Sequence, residues 1–167
     1  MPPITLRILS VVRYAWALPA TLVGLLLSLL AFAVGGNARV VDGAIEIAGG
    51  HIARCLSMLP RGCQFSAITF GHVILGVDHA ALARCRLHEH VHVRQYERWG
   101  ILFFPLYLLS SLFQMVRGRD PYLDNSLERE AFEKSVSCEL RPNHAFNRTV
   151  PGDALRHHRR GRLAWSR

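Results

Sequence analysis

Hydrophobic and polar residues repeat with different periods along the chain, and the longest apolar run comes first. Residues 14–34, YAWALPATLVGLLLSLLAFAV, contain no charged residue and are long enough to cross a hydrocarbon core of about 30 Å as a helix. The rival interpretation is a cleaved signal peptide, because Arg7 and Arg13 form a basic start and residues 31–33, AFA, resemble a cleavage site. Since the run is longer than a usual signal peptide core, residues 1–36 are predicted to be a retained transmembrane anchor.

Short runs rich in β-branched residues follow. The segment ARVVDGAIEIAGG contains two of them around Asp42-Gly43, a dipeptide typical of tight hairpin turns, so residues 39–41 and 44–47 are predicted to form a hairpin. Residues 65–76, FSAITFGHVILG, predict one longer strand, bent or bulged at Gly71. Together these segments indicate a small, mostly antiparallel sheet.

Helical periodicity begins after the sheet. An apolar and histidine stripe predicts a helix from near His79 to Gly100, with Tyr96 and Trp99 packed in the core; the stripe consists of Cys85, His88, His92, Tyr96 and Trp99. The next run, 101–116, is apolar but shorter than the hydrocarbon thickness, and it predicts a buried or interfacial helix.

A last helix is predicted to start at a cap near Asp124 or Asn125 and to continue until Pro142. One of its faces is small to apolar and contains Leu127, Glu128, Ala131, Ser135 and Cys138. Glu130 and Lys134 lie off that face. Glu128 is therefore the carboxylate expected to point inward.

Residues 86–100, RLHEHVHVRQYERWG, place three histidines and a glutamate within five positions. On a helix, His88 and His92 stand one turn apart with Glu89 beside them, which is the H-E-x-x-H pattern. On a strand, His88, His90 and His92 would share one side and could hold copper or nickel. The helical stripe favours the first interpretation, in which His90 lies about 160° around the helix from His92, outside the ligand set. Gln95 could orient a ligand or lie at the surface.

Length and charge change this picture only slightly. A chain of 167 residues suggests one domain with appended segments. The formal net charge of +8 comes almost entirely from arginine, since Lys134 is the only lysine. The arginines are scattered through apolar sequence rather than placed on a recognisable module, so no nucleic-acid partner is expected. The basic tail, 142–167, is predicted to be disordered.

The four cysteines, Cys55, Cys63, Cys85 and Cys138, include no C-x-x-C pair. They therefore indicate neither a zinc ribbon nor a redox motif. Cys55 and Cys63 could form a disulfide in an exported domain, although small buried residues are the simpler interpretation.

The string HEHVH at 88–92, followed by EREA at 128–131, resembles the zincin metallopeptidases of the glutamate-ligand type, in which H-E-x-x-H precedes E-x-x-A on a later helix. The wider strings GHVILG, HEHVHVRQYERWG and DPYLDNSLEREAF resemble a set of uncharacterised bacterial membrane-associated proteins with an H-E-x-x-H-V-x-Q-Y block. The resemblance spans roughly residues 65–138. It implies a zincin-like helical core. Joined to the predicted N-terminal transmembrane helix and small antiparallel sheet, this core gives an expected α+β fold whose domain covers 37–141.

Carried over residue by residue, the resemblance implies that His88, His92 and Glu128 bind Zn²⁺ and that Glu89 is the general base. Two imidazoles and a carboxylate suit tetrahedral zinc and leave a fourth position for water. The implied function is a membrane-anchored zinc-dependent hydrolase, a metallopeptidase acting on peptide or protein substrates. Phe132 stands where an aspartate often follows the motif, and no oxyanion-stabilising residue can be placed. The alternative is a non-enzymatic membrane protein with a structural or cryptic metal site.

The anchor and the motif together restrict the topology. If residues 101–116 crossed the bilayer, His88 and Glu128 would lie on opposite sides and could not share an ion. Arg7 and Arg13 precede the apolar run, and the positive-inside rule then places the N-terminus in the cytoplasm. The expected location is the bacterial inner membrane, with the domain on the extracytoplasmic side.

Overall fold

A computed structural model of the chain describes residues 4–58 and 65–139. Within these residues the fold is mixed α+β, with an apolar N-terminal helix, a four-stranded sheet and further helices. The elements are α1 (Ile4–Ala33), β1 (Asn37–Val41), β2 (Ala44–Ala48), α2 (Ile52–Ser57), β3 (Ala67–Phe70), β4 (Val73–Gly76), α3 (His79–Trp99), a 3-10 turn (Gly100–Leu102), α4 (Phe103–Val116) and α5 (Ser126–Glu139). The predictions for Cys63 and for the tail 142–167 lie outside the described residues.

The first hairpin forms where its turn dipeptide predicts it. β1 and β2 pair antiparallel, with Val41 opposite Ala44. Asp42 and Gly43 have φ values of 47° and 83°, and two successive positive φ angles are the mark of a type I′ turn. The local sequence alone is enough to specify this element.

The prediction of one long strand over 65–76 is wrong, because the chain reverses at Gly71-His72 to form β3 and β4. Phe70 pairs with Val73 across a two-residue turn in which Gly71 has φ 60°. The strand order is β1-β2-β4-β3, and β2 lies parallel to β4. The sheet is therefore mixed, with two antiparallel pairings and one parallel pairing, and β1 and β3 lie at its edges.

Helix α3 confirms the predicted helix and lies across the sheet. The Asp78 carboxylate accepts a hydrogen bond from the Ala81 amide at 2.7 Å, which caps its N-terminus. A core of small and branched residues forms between α3 and the sheet, made of Ala44, Ala48, Ile74, Leu82 and Val93. Tyr96 is buried as expected, but Trp99 is 38% exposed, so its prediction as a core residue is wrong.

Helix α1 packs against the rest of the fold along most of its length. The contacting face is a stripe of small residues, Ala17, Ala20, Gly24, Ser28 and Ala31, which are spaced three or four apart and buried. A side chain at Gly24 would lie 2.7 Å from the Val73 Cβ, so only glycine allows β4 to approach this closely. The inner face of α1 is therefore part of the protein core.

By length and composition, two helical stretches are able to cross a membrane. They are Leu9–Ala33, within α1, and His79–Val116, which joins α3 to α4. The predicted helix over 101–116 is confirmed as α4, whose 14 residues extend only about 21 Å.

Helix α5 folds back along α3 because its start is fixed against α4. Asn125, fully buried, accepts a hydrogen bond from the Leu127 amide and donates to the Tyr107 carbonyl and the Ser111 hydroxyl. The cap expected near Asp124 or Asn125 is thus Asn125. Glu128 consequently enters the first turn of α5 facing α3.

Candidate metal centre

His88 and His92 from α3 meet Glu128 from α5 at one point. The His88 Nε2 lies 3.1 Å from a Glu128 carboxylate oxygen and 3.1 Å from the His92 Nε2. The His92 Nε2 lies 3.5 Å from the other Glu128 oxygen. One ligand atom from each residue lies within 4.8 Å of the others, so this group could hold a metal ion.

The spacing of these atoms fits a tetrahedral ion. Zn–N and Zn–O distances of about 2.0–2.1 Å at tetrahedral angles place neighbouring ligand atoms about 3.3–3.4 Å apart. The measured separations of 3.1, 3.1 and 3.5 Å lie around that value, with His88 and His92 each facing a different oxygen of Glu128. The three side chains are therefore close to the geometry of such a site, and the Glu128 carboxylate would have to reorient for one of its oxygens to serve as the third ligand.

Gln95 fixes which nitrogen of His92 faces the centre. Its amide nitrogen donates to the Leu127 carbonyl at 3.0 Å and to Glu130 at 2.9 Å, so its oxygen must face His92. That oxygen lies 2.8 Å from the His92 Nδ1. Because the amide oxygen can only accept, Nδ1 carries the proton and the Nε2 of neutral His92 presents a lone pair to the centre.

Glu128 is held as a carboxylate. Burial raises its pKa, but hydrogen bonds from His88, His92 and Tyr107 outweigh burial and lower the pKa to about 2. The Tyr107 hydroxyl donates to it at 2.8 Å. Glu128 is thus ionised, as a metal ligand must be, throughout the physiological pH range.

Protons compete with a metal for His92. Burial lowers the pKa of His92, but its hydrogen bond with Glu128 and the charges of Glu128 and Glu89 outweigh burial, so the pKa is raised. A histidine binds metal only when neutral, so metal affinity at this site falls as the pH decreases.

Glu89 lies beside the ligands but is not one of them. Its side chain is buried between α3 and β3, where a carboxylate oxygen accepts a hydrogen bond from the Thr69 hydroxyl at 2.7 Å. The pattern H-E-x-x-H on a helix predicts that the glutamate points in a different direction from the two histidines, because Glu89 lies about 100° around the helix from His88. The structure thus places a fixed carboxylate at the side of the three-residue group.

Two aromatic residues border the ligands. Phe132, which replaces the expected aspartate, packs its ring 4.6 Å from that of His88. Tyr122 is half exposed on the loop before α5, and burial of its hydroxyl, the charges of Glu128 and Glu89 and a hydrogen bond with Glu128 raise its pKa. This phenol remains protonated and able to donate a hydrogen bond at the rim of the centre.

The structure brings His88, His92 and Glu128 together, and Glu89 lies on the same helix with its carboxylate turned to Thr69. His90 is not in the group, and His72 lies 3.3 Å from Glu97 at the α1 side of the fold. Gln95, for which the sequence left two positions open, is buried against His92.

Sequence reasoning missed the residues that support the ligands. Tyr107 and Thr69 lie outside the two motifs, and Glu130, although it is within EREA, has no role predicted from its position off the inward face. Glu130 does point away from the ligands, as expected, but it contacts Gln95. The only signal in the sequence was Gln95 itself, a polar residue one turn after His92.

Comparison of the chain with protein-family models, with curated proteins and with solved structures found no match in any of the three.

Proposed function

We propose that the protein is a membrane-associated, zinc-dependent hydrolase, and specifically a metallopeptidase. The observation that carries this proposal is the convergence of the His88, His92 and Glu128 ligand atoms within 4.8 Å of one another, with the His92 tautomer fixed by Gln95. An arrangement of three ligands on two helices leaves one side of the ion for water and substrate.

Zinc is the metal proposed because of the donor set. Two imidazole nitrogens and one carboxylate oxygen form the three-ligand set found in catalytic zinc sites, whereas calcium and magnesium prefer oxygen ligands alone. When bound, Zn²⁺ acts as a Lewis acid towards a carbonyl and lowers the pKa of a water molecule.

Glu89 is proposed as the general base. It would accept a proton from the attacking water and transfer it to the leaving amine, which requires a carboxylate held in one orientation. The Thr69 hydroxyl provides that restraint from β3. Tyr122 is the proposed donor to the oxyanion, because it is the more exposed of the two tyrosines at Glu128 and could turn its hydroxyl towards a substrate.

Replacement of Glu89 by glutamine tests the proposal. The variant keeps the shape of the side chain and its contact with Thr69 but cannot accept the proton, so we expect hydrolysis of a fluorogenic peptide library to fall by about 10²–10⁴-fold. Zinc content should be unchanged. Glu133→Gln, an exposed position on α5, is the matched control and should keep full activity.

Two results would contradict the proposal. Equal hydrolysis by wild type and Glu89→Gln would remove Glu89 as the base. Bound zinc without hydrolysis of any peptide in the library by wild type would favour a structural metal site.

A further inference from the structure

The outward faces of α1 and α4 are apolar and exposed. On α1, Leu26, Leu29 and Leu30 are 62–68% exposed, and no charged residue occurs between positions 14 and 34. On α4, Leu108, Leu109 and Val116 are 62–78% exposed. Faces of this size are unfavourable in water and mark a contact with a partner or with lipid.

The two faces meet at the 3-10 turn. The Trp16 indole lies against Gly100, where an added side chain would be 2.9 Å from its ring. Trp16 is half exposed, and Ile101 and Leu102, which follow Gly100, are 45% and 51% exposed. The apolar surface is therefore continuous from α1 through the turn to the start of α4.

The fold does not let α1 cross a bilayer while it stays packed on the domain. The first hairpin lies beside α1, with the Tyr14 hydroxyl donating to the Gly43 carbonyl at 3.1 Å near one end and the His51 amide donating to Val34 at 2.8 Å at the other. The exposed charges of Arg39 and Asp42 are thus level with the apolar part of α1.

A spanning α1 would carry that hairpin into the hydrocarbon. The edge strands β1 and β3 would then place unpaired backbone groups in lipid, where open sheet edges do not occur. Arg39 and Asp42 would add the cost of charges inside the membrane.

We propose that α1 lies in the plane of the membrane and that its outer face, the 3-10 turn and the outer face of α4 form one surface embedded in the interfacial region of a lipid bilayer. Its charge also fits lipid: Arg117 and Arg119 follow α4 directly, and the Arg117 guanidinium lies 4.0 Å over the Phe113 ring. Exposed arginines in this position complement anionic headgroups. Both ends of α1 and the metal centre then lie on the same side of the bilayer.

Depth measurements with the full chain in phosphatidylcholine and phosphatidylglycerol vesicles test this. Single cysteines at Val12, Leu22 and Leu30 on α1 and at Leu109 on α4, in a background with the four native cysteines replaced by alanine, would carry an environment-sensitive fluorophore. We expect a nitroxide near the headgroups to quench all four more strongly than a nitroxide at the bilayer centre. The control, Val40→Cys on β1, should be quenched by neither.

A spanning helix gives a different pattern, with Leu22 quenched mainly by the deep nitroxide, and that result would overturn the proposal. Absence of quenching at all four positions would also overturn the proposal, because the surface would then not be embedded in the bilayer.

Wild-type protein with an epitope tag at each terminus gives a second readout that needs no cysteine replacement. Protease added outside sealed vesicles should remove both tags, whereas removal of only one would show that α1 crosses. Neither experiment depends on bound metal, so failure of the proposed hydrolase would leave them unaffected.

Discussion

Gln95 determines which nitrogen of His92 faces the candidate metal centre, although Gln95 is not itself one of the ligands. Its amide nitrogen has two acceptors, Leu127 and Glu130, and this leaves its oxygen for His92. The orientation of the Gln95 amide therefore places the proton of neutral His92 on Nδ1 and leaves a lone pair on Nε2. A hydrophobic residue of similar size would remove that control while leaving the ligands in place.

We expect Gln95→Leu to weaken zinc binding by about 10–100-fold, the usual effect of losing a residue that orients a ligand. Competition with a chromophoric chelator measures this. Arg94→Leu, an exposed neighbour on the same helix, should bind zinc like wild type. Unchanged affinity in Gln95→Leu would show that His92 needs no orienting partner.

At this scale, the sequence predicts what lies on one helix and misses what crosses between elements. His88, Glu89 and His92 follow from helical spacing, and Glu128 follows from the apolar face of α5. Tyr107 and Thr69 reach the site only because α4 turns back and β3 lies beside α3, which are tertiary arrangements with no local pattern.

Helix α3 is tied to the sheet by one buried ion pair. Arg86 donates to both oxygens of Glu46 on β2, at 2.7 and 3.0 Å. Glu46 is 1% exposed and the Arg86 side chain 30% exposed, so loss of the arginine would leave a carboxylate buried without its charged partner. Together with the hydrophobic core and the Thr69–Glu89 hydrogen bond, this contact holds the helix that carries three of the four site residues against the sheet.

We expect Arg86→Met to lower the free energy of unfolding by about 2 kcal/mol, below the range for a fully buried pair because Arg86 is partly solvated. The double variant Glu46→Leu/Arg86→Met should recover most of that loss. Denaturant unfolding in detergent measures both. Losses that simply add in the double variant would contradict a direct interaction.

The elements themselves show where local sequence is sufficient. Asp42-Gly43 specifies its turn because both residues tolerate positive φ. The sequence predicts only a bend at Gly71-His72 within one strand, because Gly71 is the one residue there that is typical of a turn. The conformation of this turn is fixed by α1, where the Thr21 hydroxyl accepts the His72 amide at 3.1 Å. The parallel pairing of β2 with β4 joins distant segments, and no short pattern encodes it.

At the scale of the whole molecule, α1 is a structural element of the domain. Its small-residue face covers Val73 and contributes Ala31 to the same core as Ile47 and Leu75. Removal of α1 would expose that core to water.

We therefore expect α1 to be retained rather than cleaved as a signal peptide. The intact mass of the protein extracted from membranes should correspond to a chain that still contains residues 1–36. A shortened chain that begins at residue 37 should aggregate when it is expressed alone. A mature N-terminus at residue 34 on a stable, folded protein would contradict this.

Elemental analysis of the full chain purified in detergent measures whether His88, His92 and Glu128 bind one zinc ion. We expect one zinc per chain in wild type and in His90→Ala, and loss or severe weakening of zinc binding in His92→Ala and Glu128→Ala. Folded wild-type protein that holds no metal after zinc is supplied, or a His90→Ala variant that loses zinc as His92→Ala does, would contradict this expectation.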